Sequence, residues 1–241
     1  MRLRLYLING SHPCGTVLKA LSIKDLDYKV VEWPPVLHAL IQRALFGART
    51  VPSLRIDRTE KISGSTAIMR RLDQLSPEPP LFPTDPERRA AVEDAEAWGD
   101  RVFQPVGRTL LWPAFLNNTA AMPSYTEGSK IPMPDVALRA IAPLMARIGV
   151  RVNRTGDQPA RRALAELPAQ LDQVDGYIAA GTIGDAEHPN AADLQIGATV
   201  RLLMTIGDVR PLIDGRPCAE LALELFPSWP GHVPAGSLEL S

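Results

Sequence analysis

The 241-residue chain is short of cysteine, of net charge and of long apolar runs, and each shortage removes a class of protein. Two cysteines, Cys14 and Cys218, are too few for a disulfide framework or a cysteine-rich zinc site. The four histidines (His12, His38, His188 and His232) are dispersed and have no ligand-like spacing, so no metal centre is expected. A formal net charge of -1 gives no electrostatic reason to bind nucleic acid or an anionic membrane. No stretch approaches the roughly 18 apolar residues of a membrane span. The N-terminus alternates Arg2, Arg4 with Leu3, Leu5 in place of a signal peptide's apolar block, and a cytoplasmic location is the default expectation. GxGxxG, P-loop and HExxH patterns are missing as well.

Ordinary globular composition is present, with 45% hydrophobic residues and 23 prolines spread along the chain. Residues 3–8 read as a buried strand, and a turn-rich loop then leads to a short helix carrying Val17, Leu18 and Leu21. Residues 28–32 read as a second strand. Pro34-Pro35 opens a helix through Leu37, Leu40, Ile41 and Leu45, closed by Gly47. Strands at 51–56 and 60–63 precede a helix from Ser65. The order is β-α-β-α-β-β-α, an α/β sandwich over residues 1–76. A proline-rich break then serves as a linker at 77–85.

Beyond it the pattern is helical, predicting an all-α bundle over 86–241 with a coil tail. Asp85-Pro86-Glu87 starts a helix whose inward stripe is Val92, Ala95, Trp98, Val102 and Val106, bent near Pro105. Residues 117–133 read as a long loop. A helix near 134–149 is interrupted at Pro143, and another carries Leu164, Leu167, Leu171, Val174 and Ile178, kinked at Pro168. Asn190 and Asp193 form a capping box ahead of a helix apolar all round, hence central. A last helix covers about 208–226.

One stretch carries chemistry. Val51 is pushed extended by Pro52, which has no N–H to give and is either trans or cis. Ser65 lies where a helix start offers a hydroxyl, free N–H groups and a positive dipole end. An extended backbone edge beside an anion-binding helix start suits a peptide-like ligand with a carboxylate.

Val51-Pro52, Ser65-x-Ala67-Ile68, Leu81-Phe82-Pro83 and Asn190-x-x-Asp193, in that order, resemble the glutathione transferase superfamily across nearly the whole chain. The resemblance implies a thioredoxin-like N-terminal domain, a helical C-terminal domain, a cis bond before Pro52, a homodimer and detoxification chemistry. It implies glutathione as the thiol, held by the Val51 backbone, with Ser65 on the γ-glutamyl carboxylate and Pro52, Gly64 and Thr66 beside them. The family usually has Glu or Gln where this chain has Gly64. Glycine removes a partner for the glutamyl amine and admits a related low-molecular-weight thiol as cosubstrate.

Ser11-His12-Pro13-Cys14 occupies the loop where the family places its catalytic residue. With Ser11 at work, its hydroxyl hydrogen-bonds the bound thiolate and favours attack on a hydrophobic electrophile. With Cys14 at work, the helix start lowers its pKa and permits glutaredoxin-like thiol–disulfide exchange. The plainer alternatives make Ser11 a cap and Cys14 a small buried apolar residue. His12, with no carboxylate to orient it, reads as a loop residue near the electrophile pocket, and Cys218 as core. Trp112 and Tyr125 flank the long loop and are candidates for the electrophile pocket, or else core and surface loop respectively. Arg49 and Thr50 either reach the thiol's terminal carboxylate or face solvent. A non-catalytic ligand carrier of the same fold stands as the alternative to an enzyme.

Overall fold

The computed structural model describes residues 1–34, 38–131 and 133–239. Leu3, Leu5 and Leu7 alternate along β1 (Leu3–Leu7) and are all buried in the core. On the opposite side of that strand, Tyr6 stacks on Trp33 and meets the edge of Phe46. The alternation therefore covers both faces of the sheet. There follow α1 (His12–Ile23), β2 (Tyr28–Glu32), α2 (His38–Phe46), β3 (Ser53–Ile56), β4 (Glu60–Ser63) and α3 (Ser65–Leu75). The sheet order is β2-β1-β3-β4, with β1 and β2 parallel and the other pairs antiparallel. This is the β-α-β-α-β-β-α order expected, a thioredoxin-like domain.

Helix α2 departs from its sequence reading. Leu40 is 73% exposed and Leu45 41% exposed, whereas Gln42 is its one buried residue. The Gln42 amide donates to Ser53 Oγ at 3.0 Å and to the Thr50 carbonyl at 3.2 Å, so a polar clamp fixes this helix to β3. Pro35 and Leu37 lie outside the described residues.

Residues 76–85 contain no helix or strand, and the helical part begins with α4 (Pro86–Trp98). Asp85 caps it, accepting the Arg88 N–H at 2.9 Å. A π-type turn at Gly99–Phe103 leads into α5 (Gln104–Asn117). The extra residue of that turn shifts the register by one, so Phe103 is buried and Val102 exposed, against the predicted stripe. The stretch expected as a loop over 117–133 is partly helical: α5 extends to Asn117, and 3₁₀ turns follow at Thr119–Thr126.

Helix α6 (Asp135–Asn153) runs through Pro143 without interruption. An interior proline costs about 3 kcal/mol, and burial of Leu138, Ala142, Met145, Ala146 and Gly149 along one face offsets it. At Gly149 a Cβ would lie 2.1 Å from the Trp112 ring, so only glycine lets α5 and α6 approach this closely. Helix α7 (Asp157–Ala179) buries Leu167, Leu171 and Val174 as expected.

In α8 (Ala191–Leu203) every residue but Arg201 is buried, and the Asn190–Asp193 capping box is formed. This central helix packs against α1, α3, α4, α5 and α9 (Pro217–Leu225). The last predicted helix is thus split: a 3₁₀ turn at Arg210–Leu212 precedes α9, which Pro217 opens after Gly215 turns the chain at φ +79°. The tail is coil, but docked coil. Val233 exchanges backbone bonds with Thr205 and Gly207, and Asp208 accepts the N–H groups of Gly236, Ser237 and Leu238.

Candidate active site between the sheet and the helices

Ser11 stands immediately before α1 in extended conformation, and its hydroxyl makes no capping bond to the helix backbone. Ser11 lines a cavity of about 410 Å³ between the α/β part and the helices, and its hydroxyl hydrogen-bonds the Cys14 thiol. The Val51–Pro52 bond is cis. Val51 lines the same cavity, and among the described residues nothing pairs with its backbone N–H or C=O. Opposite, α5 contributes Arg108 and Trp112, and the 3₁₀ segment contributes Tyr125. Arg49 and Thr50 are exposed at the rim.

His12 is not a loop residue: it is the first residue of α1, and it is buried. Its Nε2 is 3.1 Å from the Gln104 carbonyl, which only accepts, so Nε2 carries the hydrogen. Burial first, and then the neighbouring Arg108 cation, push the imidazole down to about 3. A neutral ring tied to α5 joins the two halves of the site and is a poor general base.

Cys14 is also buried, one turn into the helix, and does not line the cavity. Burial pushes its thiol up to about 11, and hydrogen bonds from the Ser11 hydroxyl and the Ile8 backbone only partly offset this. The expected lowering by the helix start does not occur, because desolvation of the anion outweighs it.

Pro52 is buried behind Val51, and Gly64, Ser65 and Thr66 at the start of α3 are not among the residues lining the cavity. Gly64 adopts φ +94°, a conformation that glycine tolerates, and its N–H bonds the Pro52 carbonyl at 3.0 Å. Ser65 is buried, and its hydroxyl donates to Gln195 Oε1 at 2.9 Å. Gln195 in turn donates to Asp100 at 3.4 Å. The side chain expected to grip a carboxylate is therefore engaged with α8. The backbone N–H groups at the α3 start have no side-chain cap.

Tyr125 is buried, contrary to a surface-loop reading. Thr205 Oγ1 gives its hydrogen to the Leu202 carbonyl, so the Tyr125 hydroxyl donates to Thr205, at 2.6 Å. Burial raises its pKa well above the ordinary phenol value. Its ring shapes the cavity wall while its hydroxyl is committed elsewhere. Trp112 is half-buried, lines the cavity and meets Phe115 edge-on, which combines both of its sequence readings.

Sequence reasoning missed Arg108, Gln104 and Asn9. The spacing Gln104, Arg108, Trp112 repeats every four residues and places all three along one helix face; that was the available signal. Asn9 donates to the Tyr125 and Glu127 carbonyls at 3.0 and 2.8 Å, holding the 3₁₀ segment against β1. No local pattern announces that contact.

Residues 5–80 match the family model described as "Glutathione S-transferase, N-terminal domain". None of the curated protein sequences matches the chain. Among solved structures, β-etherase LigF from Sphingobium sp. strain SYK-6 is 19% identical with a TM-score of 0.63, covering 93% of this chain and 99% of its own. A glutathione S-transferase from Rhodospirillum rubrum F11 is 20% identical, TM-score 0.60, covering 99% of both chains. The theta class glutathione S-transferase from Xanthomonas axonopodis pv. citri, solved with glutathione bound, is 18% identical, TM-score 0.57, covering 83% of this chain and 81% of that one.

Proposed function

We propose that the chain, whose residues 5–80 match the glutathione S-transferase N-terminal model and whose fold is that of solved glutathione S-transferases, activates a low-molecular-weight thiol, glutathione or an analogue, for attack on a hydrophobic electrophile. The observation that carries this reading is the juxtaposition on one cavity of the unpaired Val51 backbone and Ser11, whose hydroxyl caps no helix N–H and has only the buried Cys14 thiol as partner. Val51 would hold the cysteinyl backbone of the thiol, with Pro52 and Gly64 shaping that edge. The N–H groups of Ser65 and Thr66 would take the carboxylate, in place of the Ser65 hydroxyl. Ser11 donates its hydrogen to the thiolate sulfur and so favours ionisation, the thiol proton leaving to solvent. The sulfur pair then forms a bond to the electrophilic carbon, and the leaving group departs with its own pair. His12, Trp112 and Tyr125 form the wall behind the electrophile, His12 and Tyr125 without donating to it.

In this reading residues 1–76 are the thiol-binding domain, 77–85 the linker and 86–241 the helical domain of a cytoplasmic homodimer. Thiol–disulfide exchange at Cys14 is disfavoured by its burial and raised pKa. A non-catalytic carrier is the second reading, favoured by Gly64 and by the engaged Ser65 hydroxyl.

Calorimetry with glutathione and other cellular thiols, combined with turnover of a chloronitrobenzene, separates the two. For the enzyme, Ser11→Ala lowers kcat/KM about 10²-fold, with thiol binding changed only a few-fold. For the carrier, thiol or ligand binds equally to both proteins and neither turns over. Binding of no thiol overturns the transferase reading.

A further inference from the structure

Arg108 has more hydrogen-bond donors than partners. It stands one turn after Gln104 and one turn before Trp112 on α5, in the wall of the cavity that Ser11 faces. Its one side-chain hydrogen bond joins Nη1 to the neutral Gln104 Oε1, at 3.0 Å. A guanidinium carries five N–H groups. Among the described residues no carboxylate lies within ion-pair distance of it, and the anion it feels is Asp100, two turns earlier on the chain. The side chain is half-buried, and desolvation pulls its pKa down. His12 beside it stays neutral and so adds no second positive charge.

A half-buried guanidinium with no carboxylate at ion-pair distance gives up part of its hydration for one neutral hydrogen-bond partner and the more distant Asp100, at a cost. Its surroundings make the cost plainer, since Leu111, Trp112, Phe115, Met122 and Leu138 line the same space. An anion brought in by a ligand removes that cost, and the planar fork suits a carboxylate.

We infer that Arg108 pairs with an acidic group on the second substrate, so that the electrophile is an aromatic or otherwise apolar compound bearing a carboxylate. The cavity of about 410 Å³ accommodates a ring system with one such group. Ser11 and Val51 approach from the sheet side, whereas Arg108 and Trp112 come from α5. This assigns the thiol to one wall and the acid to the other. The assignment of the acid to a second substrate rests on the transferase reading; the anion site itself does not.

The test is calorimetry of 1-naphthoate and its neutral counterpart 1-naphthamide with the wild-type protein, Arg108→Met and Arg108→Lys. The wild type is expected to bind the acid about tenfold to hundredfold more tightly than the amide. Arg108→Met binds the two alike, and Arg108→Lys, a point charge without the fork, falls between. Circular dichroism checks folding, and Arg108→Gln replaces the methionine variant should that fail to fold. Equal binding of acid and amide by the wild type overturns the proposal, as does a preference that survives loss of the guanidinium. Repeating the titrations with glutathione present distinguishes the two sources of anion. Loss of glutathione binding in Arg108→Met with the acid preference unchanged assigns Arg108 to the thiol and overturns the proposal. An intact acid preference with no thiol binding to any variant supports the anion site and overturns the transferase reading alone.

Discussion

Ser11 and Cys14 stand three residues apart at one helix start, and burial separates their chemistry. Ser11 lines the cavity; the Cys14 sulfur is buried beneath it with its thiol pushed up to about 11. Iodoacetamide at pH 8 should therefore leave Cys14 unmodified in the native protein and label it readily in urea, as read by peptide mass. Rapid native labelling would restore the exchange mechanism. Ser65 illustrates the same rule with opposite effect, since its hydroxyl is spent inside the molecule. Ser65→Ala leaves the buried Gln195 carbonyl oxygen without its donor and should cost about 1–3 kcal/mol in urea unfolding. A variant as stable as the wild type would show that the Ser65–Gln195 bond contributes nothing.

At the scale of elements, the segment between α5 and α6 is held over the cavity by the sheet. Asn9 holds two of its carbonyls. Glu32 at the end of β2 accepts from the Ser129 hydroxyl and from the Lys130 N–H, the latter at 2.7 Å. Glu32→Ala removes the second attachment and leaves the first. Faster hydrogen exchange is expected at residues 129–131, with exchange through β1 unchanged. Uniform acceleration would mean that Glu32 stabilises the sheet and not the segment.

Across the whole molecule, the two halves are joined by buried polar groups, and their titration should set its response to acid. Arg70 of α3 pairs with Glu96 of α4 at 2.5 Å, yet burial outweighs that cation and pushes Glu96 up to about 7. The folded protein therefore binds this proton more tightly than the unfolded chain, whose ordinary value is 4.5. The resulting stability is fully present below about 4.5 and lost as pH rises through about 7. His12, lowered from 6.5 to about 3, acts oppositely, contributing above 6.5 and losing that contribution as pH falls towards 3. Glu96→Gln isolates the first effect. Its stability relative to the wild type should rise between pH 4.5 and 7.5 in urea titrations. A constant difference would show that Glu96 is ionised throughout.

Strand and helix starts were legible because they depend on local chemistry. Pro86 after Asp85, the Asn190–Asp193 box and the proline ahead of β3 each act within a few residues. The expectation that Val51 and Ser11 act together rests only on resemblance to a family; that they line one cavity does not follow from any local pattern. The π-type turn was not legible, because one inserted residue rotates a helix face without altering its composition. Neither was the continuity of α6 through Pro143, where packing against α5 outweighs a local penalty. The sequence alone determined the order of strands and helices up to Leu75, and the apolar all-round pattern that makes α8 central. Only the tertiary structure decided which polar groups face the cavity, because that depends on desolvation by segments far away in the chain. Helices α5 and α8 seal His12, engage Ser65 and leave Arg108 beside an open space.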